Sequence, residues 1–422
     1  MTRGWYSFLW RLALPLVLAR LWWRGLREPG YRRHWGERLG HYGDRGAGWH
    51  TIWIHAVSVG ETRAAEPLVE ALLAAYPNSR VVLTHMTPTG RATGGALFAR
   101  HGARVAQSYL PYDTLPMVRR FLRHFTPRIC ILIETEVWPN LIAACGERRV
   151  PVTLVNARLS QRSLRRGQRF GKLIGEAARA LALVLAQTEA DAERVRALGA
   201  PQVVVTGSIK FDVQVPPAAL QTGAWLRALA ANRPLLLCAS TREGEEALIL
   251  DAYARLARRP EGLLLVIVPR HPQRFDAVAE QVVRAGLSLQ RRSQLTGQPL
   301  EAEVLLGDSM GEMFAYYAAC DCAFIGGSLL PLGGQNLIEA CALGKPVLIG
   351  PHTFNFEQAS AEAVAAGGAQ RVQDAGQLLG QAARLLADDA ARAAMGARAL
   401  LFAERHKGAT ARTVELLQPL IY

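Results

Sequence analysis

From residue 51 onward, short apolar and β-branched runs alternate with longer stretches in which apolar residues return every three or four positions. The runs fall at 51–57, 80–85 (RVVLTH), 104–110, 128–134 (RICILIE), 151–156 (PVTLVN), 181–187 and 202–206 (QVVVT). Runs of this kind between helical stretches predict βαβ units and a mainly parallel sheet. The sequence "GSIKFDVQVPP" then breaks the rhythm with turn residues and two prolines, which predicts a linker over 207–217. The rhythm resumes at 234–239 (PLLLCA), 263–268 (LLLVIV), 303–306, 321–325 (DCAFI) and 346–349, and the tail from about 374 to 420 is helical. The expectation is an α/β chain of two doubly wound domains, 49–206 and 218–422, the second carrying the helical tail. Ligands of such sheets bind beyond the carboxyl ends of the strands, so the two domains are expected to face each other across a cleft.

Residues 1–48 stand outside that rhythm. Six of the nine tryptophans (Trp5, Trp10, Trp22, Trp23, Trp35 and Trp49) lie within the first 49 residues. Residues 1–45 carry nine arginines against Glu28, Glu37 and Asp44. Tryptophan with arginine is the pairing of a membrane interface rich in anionic lipid, so 1–48 is expected to associate with a membrane. The segment lacks the small-residue cleavage site of a signal peptide. Arg11 and Arg20 leave it short of the roughly 20 apolar residues of a spanning helix. A short anchor, a helix lying in the interface and an ordinary buried helix all fit. With no export signal for the following domain, the bulk of the protein is expected on the cytoplasmic side.

The formal net charge of +14 raises nucleic acid as a partner. A nucleic-acid binder interleaves its cations with stacking aromatics on the body of the fold. Here the aromatics cluster in the first segment and the other arginines scatter, so no nucleic-acid partner is expected. The six cysteines form no CxxC pair and sit in apolar patterns, which reads as buried thiols with neither disulfides nor a zinc site.

Candidate chemistry gathers where strands end. Ser58-Val59-Gly60-Glu61 turns the first strand into a helix. Glu61 fits a helix cap, and it also fits a carboxylate placed at the cleft, kept ionised by the helix N-terminus. Glu134 and Glu136 end an otherwise apolar strand, where carboxylates are costly unless paired or used. An ion pair with Arg128 or Arg158 is the structural alternative. Lys210 stands in the linker, as a surface lysine or as a cation reaching the cleft. In the second half, Arg270 and His271 follow a strand, and Met310-Gly311-Glu312 opens a helix whose N–H groups suit a phosphate. Gly326-Gly327 and Gly333-Gly334 precede Asn336, Leu337, Ile338 and Glu339, where Asn336 and Glu339 have capping-box spacing and Glu339 also suits ribose hydroxyls. No G-x-G-x-x-G or Walker sequence follows any strand.

Together these stretches resemble a known family. "IHAVSVGET", "THMTPTG", "YLPYD", "IETEVWPNLI", "NARLS", "VTGSIKFD", "REGEE", "VPRHPQRF", "GDSMGE" and "GGQNLIEA…GPHTFNF", in that order, are similar to the 3-deoxy-D-manno-octulosonic acid (Kdo) transferases of lipopolysaccharide synthesis. Gln335 and Arg242 depart from it, each standing where histidine is familiar. The resemblance implies a GT-B-like inverting glycosyltransferase that uses no metal. It would move Kdo from CMP-Kdo to a lipid A precursor (lipid IVA) at the cytoplasmic face of the inner membrane. Glu61 would be the base, with Glu134 and Lys210 stabilising the transition state. CMP would be held by Pro269, Arg270, Met310, Gly311, Glu312, Asn336, Leu337, Ile338 and Glu339. The alternative is another nucleotide-sugar enzyme of the same architecture, a UDP-sugar transferase or epimerase.

Overall fold

The computed structural model describes residues 1–43, 50–256 and 260–421. Two compact units emerge, Met1–Asp212 with Lys407–Tyr422, and Val213–His406. Asp44, Trp49 and the expected boundary at 48/49 lie outside the described residues.

The first unit holds β1 (His50–His55), β2 (Ser79–His85), β3 (Val105–Tyr109), β4 (Pro127–Ile133), β5 (Val152–Ala157), β6 (Leu183–Ala186) and β7 (Val203–Val205). All pair parallel, in the order β3-β2-β1-β4-β5-β6-β7. Trp53, Ile54, Ile131 and Leu132 are wholly buried, as expected for a parallel sheet covered by helices on both faces. The chain winds outward from β1 to β3, then returns to the other side of β1 as β4. The turns leaving β1 and β4 therefore part in opposite directions, which opens a crevice at their carboxyl ends.

The second unit repeats the plan with β8 (Leu235–Thr241), β9 (Leu264–Pro269), β10 (Leu289–Arg291), β11 (Val304–Leu306), β12 (Cys322–Ile325), β13 (Val347–Ile349) and β14 (Ala369–Arg371). Its order is β10-β11-β9-β8-β12-β13-β14, with the reversal between β8 and β12. Every strand-like run of the sequence falls on a strand, with ends displaced by at most two residues. The sequence pattern missed β10 and β14. Both are three-residue edge strands with polar members, LQR and AQR, so neither has an apolar run to announce it.

One assignment is corrected. The last helix, Ala409–Ile421, belongs to the first unit, not to a tail of the second. Ala409, Leu417 and Ile421 enter the core built by Leu68, Leu72 and Ile209. The Asp212 carboxylate accepts from Gly408 N–H at 2.6 Å and Thr410 N–H at 2.5 Å, fixing the start of that helix. The expected linker is likewise partly structured. Ile209–Phe211 forms a 3-10 turn whose two apolar side chains are buried in the first unit.

The N-terminal helix, Arg3–Arg27, docks along one side. Tyr6 Oη donates to Asp113 at 2.9 Å, and Ser7 Oγ donates to Asn140 at 3.0 Å. The Trp10 ring lies 5.9 Å from that of Tyr112. The buried Asp113 carboxylate also accepts from Asn140 and Leu141 N–H, and burial pushes it up to about 6 against these donors. Along the opposite side Trp5, Phe8, Leu9, Leu12, Leu16, Trp22, Trp23 and Leu26 are exposed. No helix among the described residues is long and apolar enough to cross a membrane. Arg38 is taken into the fold, its guanidinium 3.7 Å from the Tyr109 ring centroid, so it adds nothing to a basic surface.

Candidate active site

The reversal between β1 and β4 brings three carboxylates to one edge of the first sheet. Glu61 sits in the first turn of the helix Val59–Ala64, whose N-cap is Ser58. Its Oε2 accepts from Val57 N–H at 2.7 Å and its Oε1 from Ser58 Oγ at 3.3 Å, while Glu61 N–H donates to Ser58 Oγ at 3.5 Å. This is capping-box geometry, reaching one residue further back than usual. The cap does not keep the group ionised, as the sequence led one to expect. Burial pushes the Glu61 carboxyl up to about 7; the Val57 N–H opposes this, the charges of Glu134 and Glu136 add to it, and Ser58 opposes it. Among the described residues Glu61 has no ion-pair partner.

Glu134 follows β4 in a left-handed conformation, φ 65°, which costs a non-glycine residue roughly 1–2 kcal/mol. Its N–H donates to Val155 O at 3.0 Å, and its Oε1 lies 2.6 Å from Lys210 Nζ. The partner is thus Lys210, not Arg128 or Arg158 as the structural alternative supposed. Glu136 accepts from Trp138 Nε1 at 2.8 Å; burial raises its carboxyl, the Trp138 bond lowers it and Glu134 raises it again. His55 and His85 lie below this edge. Burial drives them down to about 3 and about 4, so they are neutral and supply no charge.

Lys210 reaches Glu134 because its turn is held by Asn156, which the sequence reading did not single out. Asn156 is fully buried, with φ 57°, and its Oδ1 accepts from Ile209 N–H at 3.3 Å. Its Nδ2 is buried without a hydrogen-bond partner among the described residues. A polar residue ending the run "VTLVN" was the available signal, since Asn tolerates the left-handed region better than other side chains.

In the second unit the candidate residues line the carboxyl edge of the sheet in separate groups. Pro269 closes β9, and Arg270 N–H donates to Thr241 O at 2.9 Å. Arg270 clusters with Arg242 and Arg274 around His271, whose pKa is lowered by burial first and then by these cations. Glu312 accepts from Arg292 at 2.8 Å, and Gly311 beside it has φ 81°. Asn336 Nδ2 donates to Glu339 at 3.0 Å while its Oδ1 accepts from Ile338 N–H at 3.1 Å; the helix Ile338–Ala342 has Leu337 as its N-cap and no side-chain capping bond, so the expected capping box gives way to a side-chain pair just ahead of the helix. Leu337 and Ile338 are buried, which leaves only their backbone for a ligand.

Glu245, in the motif "REGEE", was also missed as a site residue. It accepts from Arg242, Gly327 and Leu329 N–H at 2.9, 2.6 and 3.0 Å and so ties the loops after β8 and β12 together. Gly326 is required there, because a Cβ would sit 2.6 Å from Ser240 O. Among the described residues no three His, Cys, Asp or Glu side chains gather as a metal site would need.

Residues 33–213 match the family model described as 3-deoxy-D-manno-octulosonic-acid transferase (kdotransferase). A 3-deoxy-D-manno-octulosonic acid transferase of Bordetella pertussis is 48% identical over 99% of both chains. The chain belongs to the Kdo transferases. The corresponding protein of Haemophilus influenzae is 36% identical over 100% of this chain and 99% of its own. As a Kdo transferase, the chain is a glycosyltransferase of lipopolysaccharide biosynthesis. Among solved structures, UDP-GlcNAc 2-epimerase from Neisseria meningitidis aligns with TM-score 0.58 at 16% identity, over 87% of this chain and all of that one. Anabaena HepE in complex with UDP and glucose aligns with TM-score 0.57 at 16% identity, over 88% and 99%. These two likenesses are of fold, and the fold is GT-B-like.

Two outcomes follow for this Kdo transferase. Asn156→Asp keeps the left-handed backbone and the acceptor for Ile209, and should retain most activity. Asn156→Gly keeps only the backbone freedom, and should lower kcat about tenfold with KM for the donor unchanged. Equal kcat in the two variants would remove Asn156 from the support of Lys210. For Glu61→Gln, folding and nucleotide affinity should persist while transfer slows roughly 10²–10⁴-fold. The wild-type rate should rise with pH through an inflection at about 7, where Glu61 loses its proton. Activity within a few-fold of wild type would leave Glu61 as a cap alone.

Proposed function

We propose that this enzyme transfers Kdo from CMP-Kdo to the lipid A precursor lipid IVA, inverting the anomeric carbon and using no metal ion. An acceptor hydroxyl gives its proton to Glu61 as its oxygen bonds to the anomeric carbon. The bond from that carbon to the CMP phosphate breaks, and CMP departs with the electron pair. The observation that carries the base role is the proton affinity of Glu61, raised to about 7 beside two further carboxylates. A base works best when its pKa lies near the working pH. The Lys210–Glu134 pair supports a second role, its carboxylate facing the oxocarbenium-like carbon and its ammonium the leaving phosphate. CMP is taken by Arg270 and by the backbone around Met310–Glu312 and Asn336–Glu339. A UDP-sugar activity has only the likeness of fold behind it.

We also infer that the enzyme works at the cytoplasmic face of the inner membrane, with the helix Arg3–Arg27 lying in the interface on anionic lipid. What supports this is the row of exposed apolar residues opposite the docked side, with exposed Arg11, Arg20 and Arg27 on the same helix. Arginine and tryptophan also stack within this segment, Arg32 over Trp22 at 4.7 Å and Arg27 over Trp23 at 5.4 Å.

Incubation with CMP-Kdo and lipid IVA should give a Kdo-bearing product by mass spectrometry, in the presence of a chelator as in its absence. Arg270→Ala should weaken CMP binding by about 1.5–3 kcal/mol in calorimetry. Transfer from a UDP-sugar but not from CMP-Kdo would overturn the assignment. Separately, Leu12→Glu with Leu16→Glu should release the enzyme from anionic vesicles without lowering its melting temperature, because both side chains are exposed. Undiminished sedimentation with vesicles would take the helix out of the interface.

A further inference from the structure

The helix Gln161–Arg169 leaves the carboxyl end of β5, beside the candidate base region. The link is short: Arg158 N–H lies 3.4 Å from Glu134 O, and Ser160 caps the helix by accepting from Ser163 N–H at 3.1 Å. Arg162, Arg165, Arg166 and Arg169 are all exposed. At about 100° per residue the four fall within roughly 100° of arc, on one face. None of them takes part in an ion pair or side-chain hydrogen bond among the described residues. Elsewhere on the surface arginines meet carboxylates, as Arg119 does with Glu147 at 2.9 Å and Arg255 with Asp251 at 2.6 Å.

This helix is unfavourably charged when alone. Its arginines stand three and four apart, where like charges repel. Arg162 lies in the first turn, where the helix dipole disfavours a cation, and no acidic residue is present there. An anion at this face would relieve both terms. Guanidinium groups grouped this way suit phosphate, which they bind through paired hydrogen bonds.

We propose that Arg162, Arg165, Arg166 and Arg169 hold the phosphate groups of the lipid acceptor, turning its sugar hydroxyl toward Glu61. The proposal rests on the acceptor named above. The helix differs from an interfacial membrane helix in having no apolar row. Its only buried side chain is Leu164, and its other exposed residues are Gln161, Ser163 and Gln168. The N-terminal helix has such a row, so the two surfaces divide the lipid and phosphate contacts between them.

The test compares wild type with the fourfold Arg→Gln variant at 162, 165, 166 and 169, and with Arg165→Gln/Arg166→Gln as a milder pair. Transfer is measured in detergent micelles with lipid IVA, and binding to phosphatidylglycerol vesicles is measured by sedimentation. The fourfold variant should raise KM for lipid IVA at least about tenfold, and the pair by a smaller factor. KM for CMP-Kdo, kcat and vesicle binding should stay within about threefold of wild type. The wild-type KM for lipid IVA should also climb more steeply with salt than that of the variant. An unchanged acceptor KM in both variants overturns the proposal, as does a loss confined to vesicle binding, which would give the face to the membrane. Absence of turnover by wild type in the same assay would instead contradict the proposed acceptor.

Discussion

The ion pair between Lys210 and Glu134 sets the character of the first unit's edge. Three carboxylates converge where β1 and β4 part, and the Lys210 ammonium pairs with one of them. Lys210 is committed to Glu134, and Glu136 is held by the Trp138 indole. Glu61 is left with neutral donors, a backbone N–H and a hydroxyl. Buried and facing two other carboxylates, it gains proton affinity, and a cap becomes a group able to exchange a proton near neutrality. The same pair links the side chain of Glu134, whose backbone is left-handed, to the turn Ile209–Phe211.

Both units meet one topological constraint in different ways. A parallel sheet whose order reverses once leaves an open crevice at that point. In the first unit the crevice is filled with acidic side chains. In the second, Glu245 and Gly326 draw the loops after β8 and β12 together, and Arg242, Arg270 and Arg274 gather nearby. Acidic groups on one sheet edge and cations with backbone N–H groups on the other match an acceptor that must lose a proton and a donor that leaves as an anion.

The architecture was legible because apolar strand runs of a buried parallel sheet carry their own signal, and Glu61 and Glu134 stood out as candidates because they follow or end such runs. What escaped lacks a local pattern. β10 and β14 are too short and polar to read as strands. The return of Ala409–Ile421 to the first unit depends on Asp212, almost two hundred residues earlier in the chain. The turn at Lys210 looked like linker because glycine and proline flank it, although Ile209 and Phe211 already marked it as apolar. Asn156 and Glu245 act through backbone groups of distant loops, and the ionisation of Glu61 is decided by burial and by charges on another strand. Those are tertiary quantities that a helix-capping pattern does not contain.

The most direct measurement is the ionisation of Glu61 itself. Carboxyl-¹³C glutamate labelling, titrated by NMR in wild type and in Glu61→Gln, isolates the one resonance that the substitution removes. The account predicts that this resonance titrates with a midpoint at about 7. A midpoint near 4.5, the ordinary value for a glutamate, would contradict it and return Glu61 to the role of a helix cap.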